Sequence, residues 1–314
     1  MRHLIILYIY IAMSALECKA QIAGVSCCDW MMLKRQKLGA ITLSKEINAD
    51  GVEIDMGPLG RRILFENKFR IEAGAKEQFK RTADSLGVKV SSIAMSGFFA
   101  QNVLQRKFDE GVVMTEKERM QNYCDLMNEC ISTMKYFGAK VAFLPLGGSE
   151  HAWERAGSDA YYQLVDRLRM FGKLFEAEGL VLGVRTAMDA YFDLQLLKDV
   201  DCPAVKIYYN VQDACDRIDL PRFSGVEKSY ATDIICKELR MLGTQNIAQI
   251  HISNTDGVTL RHDPEVDMPR IKQTLEEIGY KGWLTIERSR DARDARNTRA
   301  NFGGNVEYLH EVFQ

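Results

Sequence analysis

Five short apolar runs carry polar residues at every second position. "GVEID" sets Glu53 and Asp55 on one face, "VLGVR" sets Gly183 and Arg185, and "VKIYYN" sets Lys206, Tyr208 and Asn210. In the same way "IAQIHIS" aligns Gln249 with His251, and "WLTIE" aligns Thr285 with Glu287. A period of two places such residues on one side of a strand. Three of them have chemical reach. Arg185 offers fixed positive charge and a fork of donors that can grip a carboxylate or another anionic oxygen. Glu287 can act as base or acid, with burial and a neighbouring arginine setting its protonation, and His251 can orient or shuttle a proton. Such a set can hold an anionic group and move a proton beside it. A buried Arg185–Glu287 ion pair in an inactive protein uses the same residues, and the two readings stand side by side.

Around these catalytic candidates, Asn210, Glu53 and Lys206 are candidates for binding a substrate. Burying so many polar groups is costly unless they meet each other, water or a ligand. Trp30 could stack on a sugar ring, as could Phe98, Phe99 and Trp153, although packing accounts equally well for any one of them. The run "ERSRDARDARNTRANFGG" gathers Arg288, Arg290, Arg293, Arg296 and Arg299 with Asp291 and Asp294 between them. Charges alternating in sign fit a solvated helical face better than a phosphate site, with Arg288 or Arg290 left to reach a hydroxylated or acidic ligand. His151 and His262 read as exposed loop histidines.

Eight strand-like runs must position these residues: "IAGVSC", "GVEIDM", "KVSSIAM", "KVAFLPL", "LVLGVRT", "AVKIYYN", "IAQIHIS" and "WLTIE". Amphipathic helical stretches lie between them. In "TEKERMQNYCDLMNECISTMKYFG", Met120, Cys124, Met127, Ile131 and Met134 recur at helical spacing behind a threonine cap, Thr115. Further helices are predicted over 159–178 and 268–278, the latter capped by Asp267 with Pro269 in its first turn. Gly87, Gly138, Gly179 and Gly279 stand where helices stop. Eight strand-then-helix units without a break in composition predict an α/β fold, a single (β/α)8 barrel with eight parallel strands. No glycine-rich dinucleotide fingerprint follows the first strand, which argues against an open doubly wound sheet. In a barrel the chemistry sits at the carboxyl ends of the strands, where Arg185, Asn210, His251 and Glu287 fall.

The first 20 residues combine a basic start at Arg2, an apolar run from Leu4 to Ala15 and a small residue, Ala20. This order predicts a signal peptide over 1–20, a barrel domain over 21–314 and an exported, periplasmic or extracellular protein. A lipoprotein cleavage at Cys18 fits less well, because Glu17 precedes it. The leader is too short to span a membrane, and no later segment approaches that length without charges. A net charge of −2 from 41 basic and 43 acidic residues attracts no polyanion, so nucleic acid is not an expected partner. Eight cysteines without a CxxC pair exclude a zinc ribbon or thioredoxin motif, and Cys27, Cys28, Cys124 and Cys130 read as small buried hydrophobes.

The segments "NADGVEIDMG", "IAQIHISNTDG" and above all "DMPRIKQTLEEIGYKGWLTIE" resemble the xylose-isomerase-like barrels, which include sugar and sugar-phosphate isomerases and epimerases and apurinic endonucleases. The resemblance implies four metal ligands, Glu, Asp, His and Glu, after strands five to eight. This sequence supplies Arg185, Asn210, His251 and Glu287 at those positions. Manganese or magnesium is therefore disfavoured, with His251, Glu287 and Asn210 the ligands if one binds, because a guanidinium repels a cation and an amide is a weak ligand for a hard ion. The family's chemistry implies an isomerase or epimerase acting on a small carbohydrate, with Arg185 replacing the ion. A lyase on oxidised (keto) glycosides and a non-catalytic carbohydrate-binding barrel are the alternatives. The endonuclease branch needs more histidines than the five present.

Overall fold

The computed structural model describes residues 22–33, 36–57, 71, 73–96, 107–108, 112–113, 115–146, 155–218, 230–253, 258–288 and 297–313. The leader, Phe98, Phe99, His151, Trp153 and the arginines from 290 to 296 lie outside the described residues. The barrel strands are β1 (Gly24–Cys28), β2 (Gly51–Asp55), β3 (Lys89–Ala94), β4 (Val141–Pro145), β5 (Val181–Arg185), β6 (Val205–Asn210), β7 (Ile247–Ser253) and β8 (Trp283–Arg288). Every neighbouring pair is parallel, and β1 pairs with both β2 and β8, so the sheet closes on itself in chain order. All eight predicted strands are present, in a closed parallel barrel flanked by helices. The sequence reading did not anticipate a small antiparallel ribbon, Lys107–Phe108 with Val112–Val113.

The major helices are α1 (Leu38–Glu46), α2 (Ala73–Leu86), α3 (Glu116–Phe137), α4 (Asp159–Ala177), α5 (Ala190–Val200), α6 (Ala231–Asn246), α7 (Met268–Glu277) and α8 (Thr298–Phe313). Their ends follow from local chemistry. Thr115 and Glu118 form a reciprocal capping box at the start of α3, and Asp267 accepts from the Arg270 N–H ahead of Pro269 in α7. Gly87, Gly138, Gly179 and Gly279 have φ of 68°, 78°, 64° and 69°, a left-handed turn that a side chain would strain. Along α3 the deepest row is Tyr123, Met127, Cys130 and Met134, all with no measurable exposure, while Cys124 is only half-buried. The helical period was right; its centre sits one residue away from the predicted stripe.

The main apolar core fills the space between strands and helices, where Val52, Ile54, Leu182, Val184, Ile250, Ile252, Leu284 and Ile286 point outward from the barrel. Inside the barrel a much smaller apolar group, Ala94, Phe143 and Tyr208, is packed by Trp30. The rest of the interior is polar. A Cβ on Gly183 would stand 2.8 Å from the Tyr208 ring and 2.9 Å from Ala248, so the absent side chain on β5 is what admits that tyrosine. All seven described cysteines are free thiols, and among the described residues none is paired in a disulfide.

Candidate active site

The strand register decides which polar residues meet. Cys28 on β1 lies opposite Glu53 on β2, Glu53 opposite Ser92 on β3, and His251 on β7 lies between Asn210 on β6 and Thr285 on β8. With inward alternation, these side chains form a buried layer and a mouth above it.

Glu53 is the centre of the lower layer and has no exposure. It accepts from Ser92 Oγ at 2.6 Å, from Tyr208 OH at 2.7 Å and from Cys28 Sγ at 3.2 Å, and its Oε1 lies 2.7 Å from His251 Nε2. Burial pushes its pKa up, but the charge that His251 carries when protonated and the hydrogen bonds from His251, Ser92 and Tyr208 outweigh that and hold it below the usual glutamate value. An ionised carboxylate only accepts, so Nε2 must carry the hydrogen. In the neutral imidazole Nδ1 is then bare. That atom is fully buried, has no hydrogen-bond partner among the described residues, and lies 3.8 Å from Glu287 Oε2. Ser253 Oγ, two residues along the same face of β7, is likewise buried and without a partner among the described residues. The His251 ring is held by Tyr208 and Phe143 at centroid distances of 4.4 and 4.6 Å, with Trp30 at 6.3 Å.

Above this layer sits a cation between two carboxylates. Arg185 donates from Nε and Nη2 to Asp213 at 2.9 and 2.5 Å, a bidentate clamp, and from Nη1 to Glu287 at 3.2 and 3.4 Å. Asn210 Nδ2 donates to Glu287 Oε2 at 2.5 Å. Burial raises the Glu287 pKa, but the Arg185 charge, then His251 and the Asn210 hydrogen bond, bring it below the usual range. Burial works against the Arg185 charge too, and Asp213 and Glu287 override it to raise its pKa. Of the five guanidinium N–H groups, three are committed to carboxylates, leaving two for another partner on a side chain that is 24% exposed.

The candidate residues thus divide. Arg185, Asn210, His251, Glu287 and Glu53 converge as expected, and Trp30 stacks on Phe143 at 6.3 Å in the wall beside them. Lys206 does not join them, and its place is a correction. It is the second residue of β6, in register with Gly183, and lines a groove with Lys198, Asp201, Gln245 and Asn246 at the opposite, amino-terminal end of the barrel. Period two gave its face correctly, but the rise of the strand carries it roughly 13 Å from Asn210, four residues on at about 3.3 Å each. Arg288 ends β8, in register with Ser253, and its side chain lies outside the described residues. His262 is exposed on a short 3-10 turn, and Arg299 pairs with Glu46 on the surface. Asp55 serves structure, accepting from the Gly57 and Ser96 backbones.

Two residues of the site were missed. Asp213 sits in the first turn of the short helix Val211–Ile218 that follows β6 directly, and a strand-ending arginine should have prompted a search for such a carboxylate. Cys28 was read as a small hydrophobe, yet it ends β1 on the inward face. Its thiol, Glu53 and His251 form a buried cluster whose possible ligand atoms lie within 4.8 Å of one another.

The family model for the xylose isomerase-like TIM barrel matches residues 41–310. The chain belongs to that family. Solved structures similar to it include a sugar phosphate isomerase/epimerase from Parabacteroides distasonis, at 12% identity and TM-score 0.64 over 96% of this chain and 99% of that one. The 3-keto-D-glucoside 4-epimerase from E. coli is 13% identical with TM-score 0.63, covering 92% and 99%. D-psicose 3-epimerase, solved in the presence of D-fructose, is 10% identical with TM-score 0.65, again covering 92% and 99%. At such identities the likeness is one of fold. No curated protein sequence matches the chain. Among the described residues, no helix is long and apolar enough to cross a membrane.

The four positions that the family resemblance assigns to a divalent ion do not fit one here. The Arg185 guanidinium occupies one of them and is already bonded to Glu287, and Asn210 turns a donor toward that same glutamate. A hard cation in this mouth would meet a fixed positive charge and a single carboxylate, Glu287, among its four donors.

Proposed function

We propose that this protein is an isomerase or epimerase acting on a small carbohydrate by proton transfer beside a carbonyl, with Arg185 in place of a metal ion. The observation that carries the reading is the buried Nδ1 of His251, without a hydrogen-bond partner among the described residues and 3.8 Å from the Glu287 carboxylate that Arg185 holds. Glu287, held ionised by Arg185 and Asn210, is a poor proton acceptor. His251 supplies the accepting atom instead, because Glu53 fixes the tautomer of the neutral ring and leaves Nδ1 to take the proton. The two uncommitted Arg185 N–H groups hold the carbonyl oxygen and stabilise the negative charge that grows on it, while Glu287 sustains the protonated imidazole. Trp30 offers a face for the sugar ring. The N-terminal order of residues supports an exported mature chain beginning near Gln21, which N-terminal sequencing checks.

Hydrogen exchange tests the chemistry without knowledge of the product. A panel of keto-sugars and oxidised glycosides, incubated with the protein in deuterated water, should gain deuterium beside the carbonyl. Replacing His251 by Gln should slow this by about 10²–10⁴-fold. An oxidised glycoside that eliminates instead of exchanging would identify a lyase. The saturation of Glu287 by Arg185 and Asn210 also suits a binding barrel without turnover, and ligand binding without exchange across the panel would favour that reading.

A further inference from the structure

We infer that Cys28, Glu53 and His251 form a binding site for a thiophilic divalent ion of the zinc type, one layer below the mouth and distinct from the positions of Arg185 and Asn210. The three donors are a thiol, a carboxylate and an imidazole, all without exposure. Tetrahedral coordination at about 2.0–2.3 Å places such donors roughly 3.3–3.6 Å apart. Cys28 Sγ stands 3.2 Å from Glu53 Oε1 and 3.7 Å from His251 Nε2. The Glu53–His251 separation of 2.7 Å is a hydrogen bond that opens by about half an ångström once its proton leaves.

A second observation points the same way. With Nε2–H given to Glu53, Nδ1 has no hydrogen-bond partner among the described residues, a buried state that calls for an explanation. An ion on Nε2 displaces that hydrogen, and the ring proton then resides on Nδ1, facing Glu287 Oε2 at 3.8 Å. The result is a carboxylate–histidine–metal arrangement in which the orphan gains its partner. The proton balance is simple. The Cys28 thiol loses one proton to solvent on becoming a thiolate, the imidazole keeps one proton but carries it on the other nitrogen, and Glu53 is already ionised. Thiolate and carboxylate together neutralise the ion's two charges, which suits a site where all three side chains are buried. A sulfur donor selects zinc or cobalt over magnesium or manganese. Three protein donors leave a fourth position for water. Since the same imidazole is the base in the function proposed above, loading the ion blocks that proton transfer; the test below is spectroscopic and does not depend on it.

Cobalt(II) is the probe. The purified full-length protein titrated with cobalt should bind one equivalent, release one proton and develop a thiolate-to-cobalt charge-transfer band in the near ultraviolet, with zinc displacing it. The band should vanish in Cys28→Ser and persist in Cys27→Ser, whose sulfur belongs to the outer apolar core. Should Cys28→Ser not fold, X-ray absorption of the zinc-loaded wild type decides, with one sulfur at about 2.3 Å and nitrogen or oxygen donors at about 2.0 Å expected. A shell of nitrogen and oxygen only, no charge-transfer band in the wild type, or a band lost in Cys27→Ser but kept in Cys28→Ser overturns the site.

Discussion

Replacing Arg185 by Met removes the cation that stands between Asp213 and Glu287. The three side chains are 24%, 9% and 17% exposed, so water can only partly take over the role of the guanidinium. Removing one partner of a buried pair typically costs about 3–5 kcal/mol, and the residual exposure places this case near about 3 kcal/mol. For a barrel of this size that corresponds to a melting temperature lower by roughly 5 °C. The pH dependence distinguishes charge from packing. In the wild type the Glu287 pKa is lowered, so its contribution is present above the ordinary glutamate value of 4.5 and is lost as pH falls through the folded-state value. The variant lacks that contribution. The gap between the two melting curves should therefore be widest near pH 7 and close on acidification below about pH 4. Adding Asp213→Asn to Arg185→Met should recover part of the loss, because one of the two stranded carboxylates is gone. A melting temperature within about 2 °C of wild type at pH 7, or a gap that stays constant down to pH 3, would refute the account of Arg185 as the ion that organises the mouth.

Restoring the family's ligand set requires three changes, Arg185→Glu, Asn210→Asp and Asp213→Asn, since Asp213 loses the guanidinium that clamps it once Arg185 is gone. Manganese at about 100 times its dissociation constant should then stabilise the triple variant by about 2.7 kcal/mol in a thermal melt, and leave the parent unchanged. Exchange activity in the parent should survive chelation, because no step uses an ion; complete loss with a chelator and recovery with manganese would contradict that. Asp193 is buried against Thr186, and burial raises its pKa well above the ordinary 3.8, so its stabilising contribution is lost as pH rises through the folded-state value. Asp193→Asn should melt a few degrees higher than wild type at neutral pH, and the difference should disappear below about pH 3.8; a variant less stable at pH 7 would show that the ionised form is needed.

The amino-acid sequence by itself determined the barrel and most of its lining. Apolar runs of strand length, helix caps such as Thr115 and Asp267, and stop glycines such as Gly138 are local signals, and each acts within a few residues of chain. Period two then assigned Glu53, Asn210, His251 and Glu287 to the interior, because side-chain direction in a strand is fixed by the backbone alone. Depth along the barrel axis was not legible in the same way: Lys206 and Asn210 share a face but lie at opposite ends of β6. Nor were the pairings. Arg185 meets Asp213 28 residues on, and Cys28 meets Glu53 and His251 across 25 and 223 residues, through sheet register and closure that no local pattern encodes. Tertiary structure alone decided that Glu287 is already engaged by Arg185 and that the bare nitrogen belongs to His251. Hydrogen bonding depends on distances of a few tenths of an ångström between distant parts of the chain, and only the closed barrel sets those distances.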